Sequence, residues 1–111
     1  MGVHGLVVIE FHGEIDIAAA LPMMPELDAA TAVAGQTVVV DLTPTEFFDC
    51  YGLRLLDRAE RRVREQGGRL LLVCPHPLIL QILHLAGLSS RLATVPTLAE
   101  VLTPDAPEAT G

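Results

Sequence analysis

Thr37-Val38-Val39-Val40-Asp41-Leu42 is the stretch on which the fold turns. It is a continuous apolar run rich in β-branched side chains, and its apolar residues do not alternate with polar ones. A strand with no face left for water belongs in a sheet covered on both sides, which is the parallel type. Toward the C-terminus, Pro44 closes the strand, and a loop through Glu46, Phe47, Phe48 and Asp49 is expected to lead into an amphipathic helix. Leu53, Leu56, Ala59, Arg62 and Val63 fall near one face of that helix. Asp57, Arg58, Glu60, Arg61, Arg64 and Glu65 cover the rest. Asp57 with Arg61, and Glu60 with Arg64, stand four apart in the favourable acid-first order, worth about 0.3 kcal/mol each. Gly67-Gly68 supplies a left-handed stop. A third strand follows over residues 69–74, then a helix opened by Pro77 and ended by Gly87. A weak strand over 92–95 and a short helix over 98–102 complete the ordered part.

Toward the N-terminus, Leu6-Val7-Val8-Ile9, continuing through Phe11, reads as a strand, and Asp16 stands where a helix N-cap belongs. The Ala-rich segment from Ala18 to Ala34 is helical in composition. Pro22 and Pro25 are expected to confine its regular part to the residues after them, one of them in the first turn, and Gly35 to stop it. Strands and helices therefore alternate with gaps of twenty to thirty residues, which fit crossover helices on a mainly parallel sheet. The fold class is α/β. Residues 1–103 are expected to form one domain and 104–111 a flexible tail.

The chain has 111 residues, of which 50% are apolar and only four aromatic: Phe11, Phe47, Phe48 and Tyr51. Its core must be aliphatic, drawn from eighteen Leu and many Val and Ala. The longest apolar stretch, Leu78 to Leu88, carries Gln81 and His84 and is well short of the roughly twenty residues of a spanning helix. No basic residue precedes the first apolar run, so no signal peptide is expected, and the chain is expected to be soluble and cytoplasmic. Charge is uneven. The first 53 residues hold eight acids and neither Lys nor Arg, whereas all seven Arg and six acids follow, for a net charge of −7. An acidic chain is a poor nucleic-acid partner, because phosphate neutralisation supplies most non-specific affinity.

Catalytic motifs are missing. There is no Gly-rich phosphate loop, no Gly-x-Ser-x-Gly elbow and no Lys at all, which excludes Schiff-base chemistry and a P-loop. His76 and His84 stand eight apart with no acid in a zinc-binding arrangement, and His4 and His12 share one strand face as solvated side chains. Cys50 and Cys74 are too few for a zinc ligand set, and in a reducing compartment they are expected to be free thiols. Cys50, near a helix start, could act as a redox sensor with Cys74; two inert thiols are the simpler expectation. No metal or cofactor is expected, and no enzymatic activity.

Three segments in register resemble the STAS domain of anti-sigma factor antagonists. Gly13-Glu14-Ile15-Asp16 is similar to that family's Gly-Glu-Leu-Asp. Val39 to Leu53 (Val-Val-Asp-Leu-Thr-Pro-Thr-Glu-Phe-Phe-Asp-Cys-Tyr-Gly-Leu) is similar to its strand, Asp-Leu, loop and Asp-Ser-Ser-Gly-Leu. Gly67-Gly68-Arg69-Leu70, Pro77 and Leu85-Ala86-Gly87-Leu88 follow in the family's order. The resemblance covers roughly residues 5–103. It implies a STAS-like mixed, mainly parallel sheet of about four strands flanked by helices. It also implies a protein that binds a kinase-fold anti-sigma factor and so releases a sigma factor.

In that family the second Ser of Asp-Ser-Ser-Gly is phosphorylated, which switches binding off. Here Asp49 matches the Asp, Cys50 the first Ser, Tyr51 the phosphoacceptor Ser, and Gly52 the Gly. The resemblance therefore implies a partner-binding set of Asp16, Asp49, Cys50, Tyr51, Gly52, Leu53 and Arg54, with the serine switch lost at Tyr51. Asp16 and Asp49 are equally accounted for as N-caps, worth about 1 kcal/mol each. Relatives carry an extra edge strand where this chain has only Met1 to Gly5. On the helix after Pro77, Ile79, Ile82, Leu83 and Ala86 are expected inward, and Leu80 on an exposed patch. Two alternatives stand beside the antagonist reading: a STAS subunit of a stress-sensing or transporter complex, and a small nucleotide-binding protein. A weak homodimer is compatible with all of them.

Overall fold

The valine run forms the centre of the molecule. In the computed structural model, which describes residues 5–102, the order is β1 (Leu6–Glu10), β2 (Gly13–Ile15), α1 (Ile17–Thr31), β3 (Thr37–Asp41) and β4 (Thr45–Phe48). It continues through α2 (Cys50–Glu65), β5 (Arg69–Val73), α3 (Pro77–Leu85), β6 (Ala93–Val95) and α4 (Leu98–Leu102). The main sheet has the order β1-β3-β5-β6, and every described pairing in it is parallel. Val38, Val39 and Val40 are fully buried, each worth roughly 1.5–3 kcal/mol relative to exposure. The expected mainly parallel sheet of about four strands is present.

Alternation along the strands sorts the two faces. Ile9, Val38, Val40, Leu70 and Leu72 share one face and one core with Leu27 of α1, Leu55, Leu56 and Val63 of α2, and Ile79 and Leu83 of α3. Helices α1 and α2 pack against each other. Their contact is held by an ionic clamp. The Asp28 carboxylate accepts two parallel bonds from Arg58, at 3.0 and 2.9 Å, while Arg62 donates to the Asp28 carbonyl at 2.9 Å and to the Thr31 hydroxyl at 3.0 Å. The hydrogen bond and charge of Arg58 hold the Asp28 carboxyl below the usual carboxylate range.

Four expectations need correction. Helix α1 does not wait for its prolines; it starts at Ile17, and both Pro22 and Pro25 lie inside it. Proline removes an amide donor, so the carbonyls of Ala18 and Leu21 lose their i+4 partners. Both residues lie on the exposed side, where water can replace the bond. Residues 45–48 are a strand, not a loop. On α2, Leu55 is buried and so is Glu60, which the helical spacing places on the polar face; Arg91 at 3.2 Å and Arg64 at 3.4 Å compensate its charge. On α3, Leu80 packs against the core and Ala86 is exposed, while Leu78 and Leu85 face solvent. Residues 1–4, with His4, and the expected tail lie outside the described residues.

Two tight spots set how closely the elements approach. A Cβ on Gly68 would lie 2.2 Å from the Gln36 carbonyl oxygen, so the turn from α2 into β5 passes directly over the start of β3. A Cβ on Gly52 would lie 2.8 Å from two ring carbons of Phe48, itself buried. An Ala at a free helical position gains up to about 1 kcal/mol over Gly. At position 52 the sign should reverse: Gly52→Ala is expected to cost about 1–3 kcal/mol through overpacking against that ring, read as a lower urea midpoint. The clamp predicts a pH dependence. Because the folded Asp28 carboxyl titrates below its unfolded value, its stabilisation is present above about pH 5 and is lost as the pH falls through the acid range. Asp28→Asn should therefore lose up to about 1 kcal/mol at pH 7 and show a shallower decline between neutral and acid pH in urea titrations. An equally steep decline would show that Asp28 does not contribute.

Candidate functional site

The site begins with a break in two neighbouring strands. After Glu10 and Asp41 the pairing of β1 with β3 is interrupted. Phe11 N–H still donates to the Asp41 carbonyl at 3.0 Å, and Gly13 N–H to the Pro44 carbonyl at 3.0 Å. Gly13 takes a left-handed conformation there (φ 72°), which suits glycine. The Thr45 hydroxyl, buried, donates to the Phe11 carbonyl at 2.7 Å. Pairing then resumes as a short parallel ribbon of β2 and β4, with a register shift at Gly13/Glu14. The Asp41 carboxylate accepts from Thr43 N–H at 2.9 Å. His76 Nε2–H donates to the Leu42 and Thr43 carbonyls at 3.1 and 3.0 Å, so this histidine pins the turn between β3 and β4.

The ribbon ends at the pair Ile15–Phe48, and each strand passes directly into a helix. Asp49 N–H donates to the Ile15 carbonyl at 3.3 Å. Asp16 and Asp49 therefore occupy equivalent places, and their backbones match: φ −110°, ψ −168° and φ −108°, ψ −166°. Both are N-caps. The Asp16 carboxylate accepts from Ala19 N–H at 3.1 Å; that of Asp49 accepts from Tyr51 N–H at 2.9 Å and Gly52 N–H at 3.4 Å. Neither first helical turn carries an acid, so these carboxylates meet the positive ends of the helix dipoles alone.

The seven residues of the sequence-derived site divide by exposure. Asp16 and Asp49 stand side by side, half-buried; Cys50, Tyr51 and Arg54 are exposed. Gly52 is buried against Phe48 and Leu53 is half-buried against the core, so these two position the rim and present little surface. The Arg54 guanidinium lies over the Tyr51 ring, 5.6 Å from its centre. Phe47, beside the caps on β4, is exposed as well. Cys74 is buried, its thiol pushed up by that burial, and its sulfur lies 3.7 Å from the His76 carbonyl. It is therefore a poor partner for a redox switch with the exposed Cys50.

Sequence reasoning missed a groove of about 520 Å³ that leads away from the rim between α1 and α2. Ile17, Leu21 and Met24 line it from α1, and Tyr51, Arg54, Asp57, Arg58 and Arg61 from α2. The spacing i, i+4, i+7 of the three α1 residues was the available signal, hidden by placing the helix start after the prolines. Arg91 was missed too. It reaches from the segment after α3 to Asp57 at 2.6 Å and Glu60 at 3.2 Å, and with Arg61 it holds the Asp57 carboxyl below the usual range. Among the described residues no cluster of His, Cys, Asp and Glu could hold a metal ion. None of the described helices is long and apolar enough to cross a membrane.

Comparison with solved structures agrees with this architecture. An anti-sigma factor antagonist from Mycobacterium paratuberculosis is 28% identical, with 94% of this chain and 88% of that one covered at a TM-score of 0.73. A STAS domain protein from Planctomyces limnophilus is 24% identical, with 87% of each chain covered and a TM-score of 0.78. The Bacillus cell-fate determinant SpoIIAA in its phosphorylated form is 24% identical, with 96% of each chain covered and a TM-score of 0.71. No curated protein sequence matches significantly. The STAS domain family model matches residues 2–101, so the chain, with its parallel sheet and paired helix starts, belongs to the STAS domain family.

Proposed function

We propose that this protein is an anti-sigma factor antagonist that binds a kinase-fold anti-sigma factor through the rim where α1 and α2 start. The reading is supported by the position of Asp49-Cys50-Tyr51-Gly52. The segment that resembles the family's Asp-Ser-Ser-Gly caps α2 beside the cap of α1, with Cys50 and Tyr51 exposed. Tyr suits such a role, since it offers a large contact area and a polar tip.

The same position argues that the serine switch is lost. SpoIIAA has a phosphorylated form, and the likeness of Asp49-Cys50-Tyr51-Gly52 to the family's Asp-Ser-Ser-Gly supports reading Tyr51 at the acceptor position. The phenol oxygen of a Tyr lies several ångströms further from the backbone than a Ser hydroxyl, outside the reach of a kinase site shaped for Ser. Cys50 offers no stable phosphoester. The protein then acts as a binding-competent antagonist set by its abundance.

Two measurements test this. Calorimetric titration against the kinase-fold anti-sigma factors of the source genome should find one that binds. Cys50→Glu should weaken that binding at least tenfold, about 1.4 kcal/mol. The variant remains folded, because position 50 is exposed and an acid is favourable at a helix start. Unchanged binding would remove the rim. Incubation with that kinase and ATP should leave the intact mass unchanged, whereas Tyr51→Ser should gain the mass of one phosphoryl group. Stoichiometric phosphorylation of the unmutated chain would refute the loss of the switch.

A further inference from the structure

The groove between α1 and α2 sets exposed apolar side chains beside arginines. Ile17, Leu21 and Tyr51 are 46%, 61% and 37% exposed, three large apolar groups gathered on one concavity. Single exposed apolar residues are ordinary, but a contiguous set in a groove marks a contact surface. Along its other wall stand Arg54, Arg58 and Arg61, three of the seven arginines of a chain with net charge −7. Arg58 is matched by Asp28, and Arg61 by Asp57. Arg54 has no carboxylate within ion-pair distance among the described residues, and its charge rests on the Tyr51 ring alone. Asp57 stands in the lining as well, so Arg58 and Arg61 are offset by Asp28 and Asp57, and Arg54 is the lining cation left without a countercharge.

We infer that this groove seats an acidic amphipathic helix of a protein partner, apolar side chains against α1 and a carboxylate on Arg54. This rests on the antagonist reading only in that the groove opens onto the same rim at Tyr51. The shape selects a helix. Seven of the ten residues that line it stand at positions 17, 21 and 24 on α1 and at 51, 54, 58 and 61 on α2. These are helical rows three and four apart, which form the ridges into which another helix packs. A partner with apolar residues at i, i+4 and i+7 would match the α1 row over two turns. An extended peptide finds less here, because it gains its affinity from a free strand edge, and both walls of this groove are helices. The charge selects an acid. A basic helix would bring its cations against the unpaired Arg54, and like charges at an interface exclude the wrong partner.

The test uses the full chain and a fluorescent helical peptide of about 18 residues, long enough to fold. It carries Leu at i, i+4 and i+7 and Glu on the flanks; a second peptide has Lys in place of Glu. The acidic peptide should bind in an anisotropy titration, and the Lys peptide at least tenfold more weakly. Leu21→Asp and Arg54→Glu, both at exposed positions and checked for folding by circular dichroism, should each weaken the acidic peptide at least tenfold. No binding, equal binding of the two peptides, or indifference to both substitutions overturns the inference. Any kinase-fold partner found by calorimetry separates the two claims. Full affinity of that partner for Leu21→Asp refutes the groove and leaves the rim standing. Failure to find a kinase-fold partner, with the peptides behaving as expected, refutes the antagonist reading and leaves the groove.

Discussion

The parallel pairing of β2 with β4 is the constraint on which the site depends. It spans only three residues of one strand and four of the other, too short to persist alone in water. It persists because the Thr45 hydroxyl is fixed to the Phe11 carbonyl, Phe48 and Ile15 are buried, and Gly52 lets the ring of Phe48 lie against α2. Parallel pairing has a geometric consequence that a hairpin lacks: both strands leave the ribbon in the same direction. The two helices that follow begin side by side, their caps at equivalent positions. A rim built from two adjacent helix starts is thus a product of strand direction.

The second element of the design is how charge is distributed. The N-terminal half carries acids only and the C-terminal half all the arginines, and folding lays one against the other. Arg58 and Arg62 of α2 meet Asp28 of α1. Surface pairs of this kind are individually weak, but the Arg58 pair is bidentate, and such geometry fixes orientation as well as adding energy. It ties α1 to α2 beside the groove, which Arg58 also lines. On the other side of α2, Arg91 ties Asp57 and the buried Glu60 to the segment before β6. Removing one member of a buried pair is costly because the other charge remains, so Glu60 commits α2 to a single docking.

The proposed rim and groove would answer different requirements of a partner contact. At the caps the Ala19, Tyr51 and Gly52 N–H groups are already taken by Asp16 and Asp49. What the caps present is shape and the exposed Cys50 and Tyr51. In the proposed reading, a tyrosine in place of a compact hydroxyl exchanges a charge switch for a permanent contact. On that reading the module is controlled by concentration and by partner choice, and the proposed groove would give that selectivity through apolar area bordered by charge.

The sequence by itself determined the strand–helix alternation, the burial of the valine run, the caps at Asp16 and Asp49, the stops at Gly67 and Gly87, and the family. All are local or periodic signals, carried by residues whose backbone preferences or spacing act within a few positions. Only the tertiary structure decided the rest. The β4 strand was illegible because Thr-Glu-Phe-Phe has no alternation long enough to register, and its partner is over thirty residues away. The true start of α1 was masked by Pro22 and Pro25. Their missing donors are cheap only where Ala18 and Leu21 face water, and that orientation is set by packing on α2. Glu60 looked like a surface residue until Arg91, distant in sequence, supplied its countercharge. The groove needed two helices to be brought together, so neither helix alone could announce it.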